Sequence, residues 1–199
     1  MCIRDSGMTI EQGGGGRAGR GGFNSVGDTV TLSSRIAGHY TAAMSATEIT
    51  SQNAKRLVSE FATYFKTNST APKGKYKSFV IKAESNPAQV AKLLELLDKN
   101  GIKYGKAGAK TGLKGYDYQS GKSGVTFATS DKDIVVNAYQ AKSVLTQVLF
   151  EPNPVLNDSI TYDITSWAMP YAYGLQGFAL ETKLDAAGAY EKPELPQYK

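Results

Sequence analysis

Cysteine and histidine each occur once in the 199 residues, as Cys2 and His39. A single cysteine excludes an internal disulfide. One histidine and one distant cysteine exclude a His/Cys zinc site built from this chain alone. For the same reason, any Ser-His-Asp or Cys-His arrangement would have only one histidine to draw on. Long apolar runs are missing as well. None approaches the ~18 residues of a membrane helix, so nothing in the sequence reads as a membrane span. The leader MCIRDS has no charged n-region followed by an apolar core, so it is not a signal peptide. It resembles a translated adapter, and residues 1–6 are set aside as artefactual.

What is present has globular composition: 41% hydrophobic and 21% charged residues, with a net charge of +5. Most lysines have acids between them. That is mild basicity rather than a nucleic-acid stripe, and no nucleic-acid partner is expected. The opening MTIEQGGGGRAGRGG (8–22) is a short apolar run ending at Glu11, then seven glycines in eleven residues. It reads as a strand running into a glycine loop. GDTVTL (27–32) reads as a turn and a short extended piece. From Leu32 the period becomes helical: Ile36, Tyr40, Ala43 and Thr47 recur every three or four residues. The stripe continues through Ala54, Leu57, Val58, Phe61, Tyr64 and Phe65. One long helix, or two in line, is expected to end before TNSTAPKGK (67–75), a polar linker and domain boundary.

KSFVIKA (77–83) alternates as a strand. NPAQVAKLLELLDKNG (86–101) is an amphipathic helix with Ser85 or Asn86 as N-cap, Pro87 near its first turn and Gly101 just past its end. IKYGKA (102–107) reads as a second strand and 112–129 as a hairpin with its tip at Ser120–Gly124. DIVVNAY (133–139) reads as a further strand and AKSVLTQVLFE (141–151) as a helix. This order predicts a small α+β sandwich with helices on one face of one sheet. The aromatic segment 158–175 is expected to pack back as core, Trp167 included.

Several motifs carry possible chemistry. Gly14-x-Gly16-x-x-Gly19 has the dinucleotide spacing, but no helix pattern follows to aim backbone N–H groups at a pyrophosphate. RAGRGG (17–22) resembles RNA-binding arginine–glycine arms, though those are long and repeated. GYDYQSGKS (115–123) has one residue too many for a phosphate loop and sits in a hairpin pattern. His39 has no carboxylate at i±4. Glu11 is either a strand-edge acid or a catalytic carboxylate, since glycines allow close approach to a ligand and strand ends display functional side chains.

Met8-Thr9-Ile10-Glu11-Gln12-Gly13-Gly14, then His39-Tyr40-Thr41 and Thr50-Ser51-Gln52-Asn53 with the long helix, resemble the final part of the catalytic domain of zinc carboxypeptidases. The likeness is to a large bacterial subgroup of that family. Leu97-Asp98-Lys99-Asn100-Gly101-Ile102-Lys103-Tyr104-Gly105 and Asp158-Ser159-Ile160-Thr161-Tyr162-Asp163-Ile164-Thr165-Ser166-Trp167 resemble the region that follows that domain in the same subgroup. It covers most of residues 8–184 and rests on overall sequence texture.

The resemblance implies an α/β peptidase domain with a mixed sheet. Zinc would be held by a His-x-x-Glu pair and a distant His, and a late-strand Glu would act as general base on the metal-bound water. Glu11 matches that glutamate, and Arg17, with Arg20 near it, would border the substrate pocket. This chain has no His-x-x-Glu, so the zinc ligands are expected upstream and no metal site within it. The implied organisation is a leader (1–6), the C-terminal part of the peptidase domain (7–67), a linker (68–75), an accessory α+β module (76–184) and a linker or tail (185–199). Implied partners are a peptide substrate and the missing N-terminal part of the domain. The family suggests a periplasmic or secreted enzyme. A truncated sheet would leave an exposed edge and apolar surface. Two other readings stay open: a non-catalytic binding module with a Gly/Arg-rich arm, and an inactive peptidase homologue.

Overall fold

The computed structural model describes residues 21–23, 26–154 and 168–192. The chain divides into two compact units between Tyr64 and Phe65. Its class is α+β.

In the first unit, β1 (Gly22–Phe23) pairs antiparallel with β2 (Thr29–Val30). α1 (Leu32–Gln52) follows at once, because Thr31 and Ser34 form a capping box. The Thr31 hydroxyl accepts from Ser34 N at 3.1 Å, and the Ser34 hydroxyl accepts from Thr31 N at 2.9 Å. A one-residue break at Asn53 separates α1 from α2 (Ala54–Thr70). Leu57 N still donates to Asn53 O at 3.0 Å, so the helical ladder carries across the break. The expected pair of helices is therefore found, but α2 runs to Thr70 rather than stopping before Thr67. Ser69 and Thr70 return their hydroxyls to the carbonyls of Phe65 and Lys66, which lets a polar tail stay helical. Asn68 and Pro72 are buried, so this stretch is packed rather than free.

The apolar stripe of α1 is present but not covered. No residue of α1 is buried, and Leu32, Ile36, Tyr40, Met44 and Ile49 are each at least half exposed.

The second unit is a six-stranded antiparallel sheet. Its strands are β3 (Ser78–Ile81), β4 (Gly105–Lys106), β5 (Lys110–Asp117), β6 (Lys122–Thr129), β7 (Ile134–Asn137) and β8 (Gly177–Leu180), ordered β4-β7-β3-β8-β5-β6. α3 (Pro87–Lys99), α4 (Ser143–Phe150) and α5 (Met169–Ala172) accompany it. Alternation along β3 sorts the core. Phe79 and Ile81 pack with Val90, Leu93, Leu94 and Leu97 of α3 and with Phe150 of α4, whose ring stacks on Phe79 at 5.1 Å. Val80 packs on the opposite face with Val135, Leu180, Ala107, Phe127 and Leu184. The helices thus share one face, as the sequence predicts.

α3 begins where the punctuation places it, with the Asn86 side chain accepting from Gln89 N and Pro87 at the first turn. It ends in a Schellman arrangement. Ile102 N donates to Leu97 O, Gly101 N donates to Asp98 O, and Gly101 adopts φ +66°. Three expectations shift. IKYGKA contributes only Gly105–Lys106 as strand, because Gln140 clamps Lys103 through its N–H and C=O instead of a ladder. The hairpin turns at 118–121 rather than 120–124, because the Asp117 carboxylate accepts from Gln119 N, Ser120 N and the Ser120 hydroxyl. The strand β8, unpredicted, inserts between β3 and β5.

The segment after β8 is not a loose tail at its start. Ala187 N donates to Lys106 O, and Lys106 N donates to Gly188 O, so this stretch closes the β4 edge.

At Gly177 a Cβ would lie 2.6 Å from Val80 O, a backbone atom held in the ladder. Gly177→Ala is therefore expected to lower stability by about 1–3 kcal/mol. Gly188→Ala, whose Cβ meets nothing within 4 Å, is expected to leave the urea midpoint unchanged. Equal midpoints for the two variants would contradict this account of the β3–β8 contact.

Candidate functional site

Glu11 and Arg17 lie outside the described residues, as do Arg20, the glycine tract up to that point and Trp167. His39 is exposed on α1. GYDYQSGKS spans the β5–β6 hairpin, so its backbone has no strand-to-helix turn to cradle a phosphate. Among the described residues no group of three or more His, Cys, Asp or Glu could hold a metal ion. Also among them, no helix is long and apolar enough to cross a membrane.

Two polar arrangements do form. The first joins β3 to the β6–β7 turn. Asp133 is buried, and its carboxylate accepts from Lys82 Nζ at 2.6 Å and from Ser130 N at 2.8 Å. Lys82 Nζ also donates to Ala128 O at 2.7 Å. Each charge is thus consumed by fixed protein partners, and the pair ties two segments 51 residues apart. Beside it lies an open cleft of about 320 Å³ walled by Ala83, Pro87 and Tyr190. Its rim carries Lys106 and Lys132 against Glu84, Asp131 and Glu191, with Lys132 paired to Glu84 at 2.6 Å. Burial pushes the Tyr190 hydroxyl above its ordinary range, and the Asp133 charge adds to this. The cleft is at the small end of ligand-site volumes. Its rim charges oppose one another and single out no ligand class.

The second arrangement is a cluster of tyrosines. The rings of Tyr116 and Tyr118 meet edge-on at 5.8 Å, and those of Tyr118 and Tyr171 at 5.2 Å. The Tyr116 and Tyr171 hydroxyls are 2.8 Å apart, and the Tyr118 hydroxyl donates to Phe150 O. Burial raises the Tyr118 hydroxyl well above the usual phenol range, with the neighbouring Tyr171 adding to it. Tyr171 is raised by burial first and then by its hydrogen bond to Tyr116. Tyr118 and Tyr171 stay protonated near neutrality, and the Tyr118 hydroxyl serves as a donor, which suits a structural anchor for α4 and α5 rather than proton transfer.

Sequence reasoning missed both arrangements. The tyrosines carried a partial signal: Tyr116 and Tyr118 stand two apart at the end of an alternating run, although Tyr118 is the first residue of the turn rather than part of β5. The Lys82–Asp133 pair carried none, because its partners are distant in sequence. No family model, curated protein or solved structure matches the chain.

Two outcomes test this geometry. Asp133→Ala leaves Lys82 with a single carbonyl partner and is expected to cost about 2 kcal/mol in urea unfolding. Raised tyrosine pKa values mean that the fold binds those protons more tightly than the unfolded chain does. Their stabilisation is complete below pH ~10, the unfolded value, and fades as pH rises above it. The unfolding midpoint should therefore fall above pH ~10. In Tyr118→Phe the fall should be shallower, on a baseline lowered by about 1–2 kcal/mol for the unpaired Phe150 carbonyl. An unchanged slope would show that Tyr118 is not held protonated by the fold.

Proposed function

We propose that the chain is the C-terminal part of a zinc-dependent metallocarboxypeptidase that hydrolyses C-terminal peptide bonds. In this reading Glu11 is the general base, Arg17 borders the substrate pocket, and residues 76–184 form an accessory α+β module. One observation carries it. The resemblance-bearing stretches His39-Tyr40-Thr41 and Thr50-Ser51-Gln52-Asn53 fall on α1 and its end, and α1 is a helix with no buried residue and a line of exposed apolar side chains. A helix from the edge of a larger peptidase domain would have this surface before the rest of the domain covers it.

The described residues do not fit a zinc site, since no suitable ligand cluster exists among them and the whole chain has one histidine. The metal in this reading is held by residues beyond this chain. What this chain supplies is a carboxylate at the end of an apolar run, a group able to take a proton from an attacking water and return it to a leaving amine.

Calorimetry on the chain as it stands is expected to show no tight zinc site, and one tight site would overturn the assignment. In a full-length enzyme, Glu11→Gln should lower turnover by about 10²–10⁴-fold, the usual contribution of a general base, with zinc content unchanged. Turnover at the wild-type level would remove Glu11 from the mechanism. A preceding sequence without His-x-x-Glu and a later His would favour an inactive homologue.

A further inference from the structure

We draw no further inference here: the strongest candidate, the exposed apolar face of α1 formed by Leu32, Ile36, Tyr40 and Met44, carries nothing because nothing in the structure shows what covers it.

Discussion

β3 is hydrogen-bonded along both edges and buried on both faces, and the rest of the second unit is built from it. Four residues carry this load. Each pairs with β7 on one side and β8 on the other, and all four are buried. The period of two then divides the unit's core. Phe79 and Ile81 require a layer of helices, while Val80 requires a second apolar layer, supplied by Phe127, Leu180 and Leu184 without a helix. The one polar side chain in β3 is satisfied too, since Leu184 N donates to the Ser78 hydroxyl at 2.7 Å. That bond fixes where the chain leaves β8 and starts toward the β4 edge. Lys82, the next residue beyond the strand, ends the same ladder in the ion pair with Asp133. A strand with no free edge and no wet face cannot slip register without unpairing all of these at once.

What the sequence made legible was whatever is decided locally. α3 is bounded by Asn-Pro at one end and Asn-Gly at the other. Both ends behave as that chemistry requires, because capping involves only neighbours in the chain. β8 was illegible for the opposite reason. Gly-Phe-Ala-Leu is too short to display alternation, and it is a strand only because β3 and β5 offer it two edges. The hairpin shows an intermediate case. Its existence follows from alternation, but its tip is placed by the Asp117 side chain folding onto Ser120, a hydrogen bond that outweighs the glycines further along. Ile102–Tyr104 looked like strand because its composition suits one. A side-chain amide from Gln140 satisfies that backbone instead.

The candidate site divides along the same line. Glu11 and Arg17, reached through resemblance, lie outside the described residues. The polar groups that the structure does assemble, Lys82 with Asp133 and Tyr116 with Tyr171, join residues separated by 51 and 55 positions. No local pattern encodes such partners. They are products of sheet order. Lys82 and Asp133 meet where β3 pairs with β7. Tyr116 lies on β5, which is joined to β3 through β8, the strand that could not be read.

α1 and α3 make the energetic contrast plain. Both are capped at their first turn, which is worth about 1 kcal/mol to a helix. α3 adds four fully buried apolar side chains, each worth roughly 1.5–3 kcal/mol. α1 adds none. Its described side-chain bonds are local: the Thr47 hydroxyl on Ala43 O, the Asn53 amide on Ile49 O, and the Gln52–Glu48 pair. Such contacts are worth tenths of a kcal/mol each. Helices in water owe most of their stability to burying an apolar face. Covering Ile36, Tyr40 and Met44 would therefore add more to α1 than all of its local bonds together.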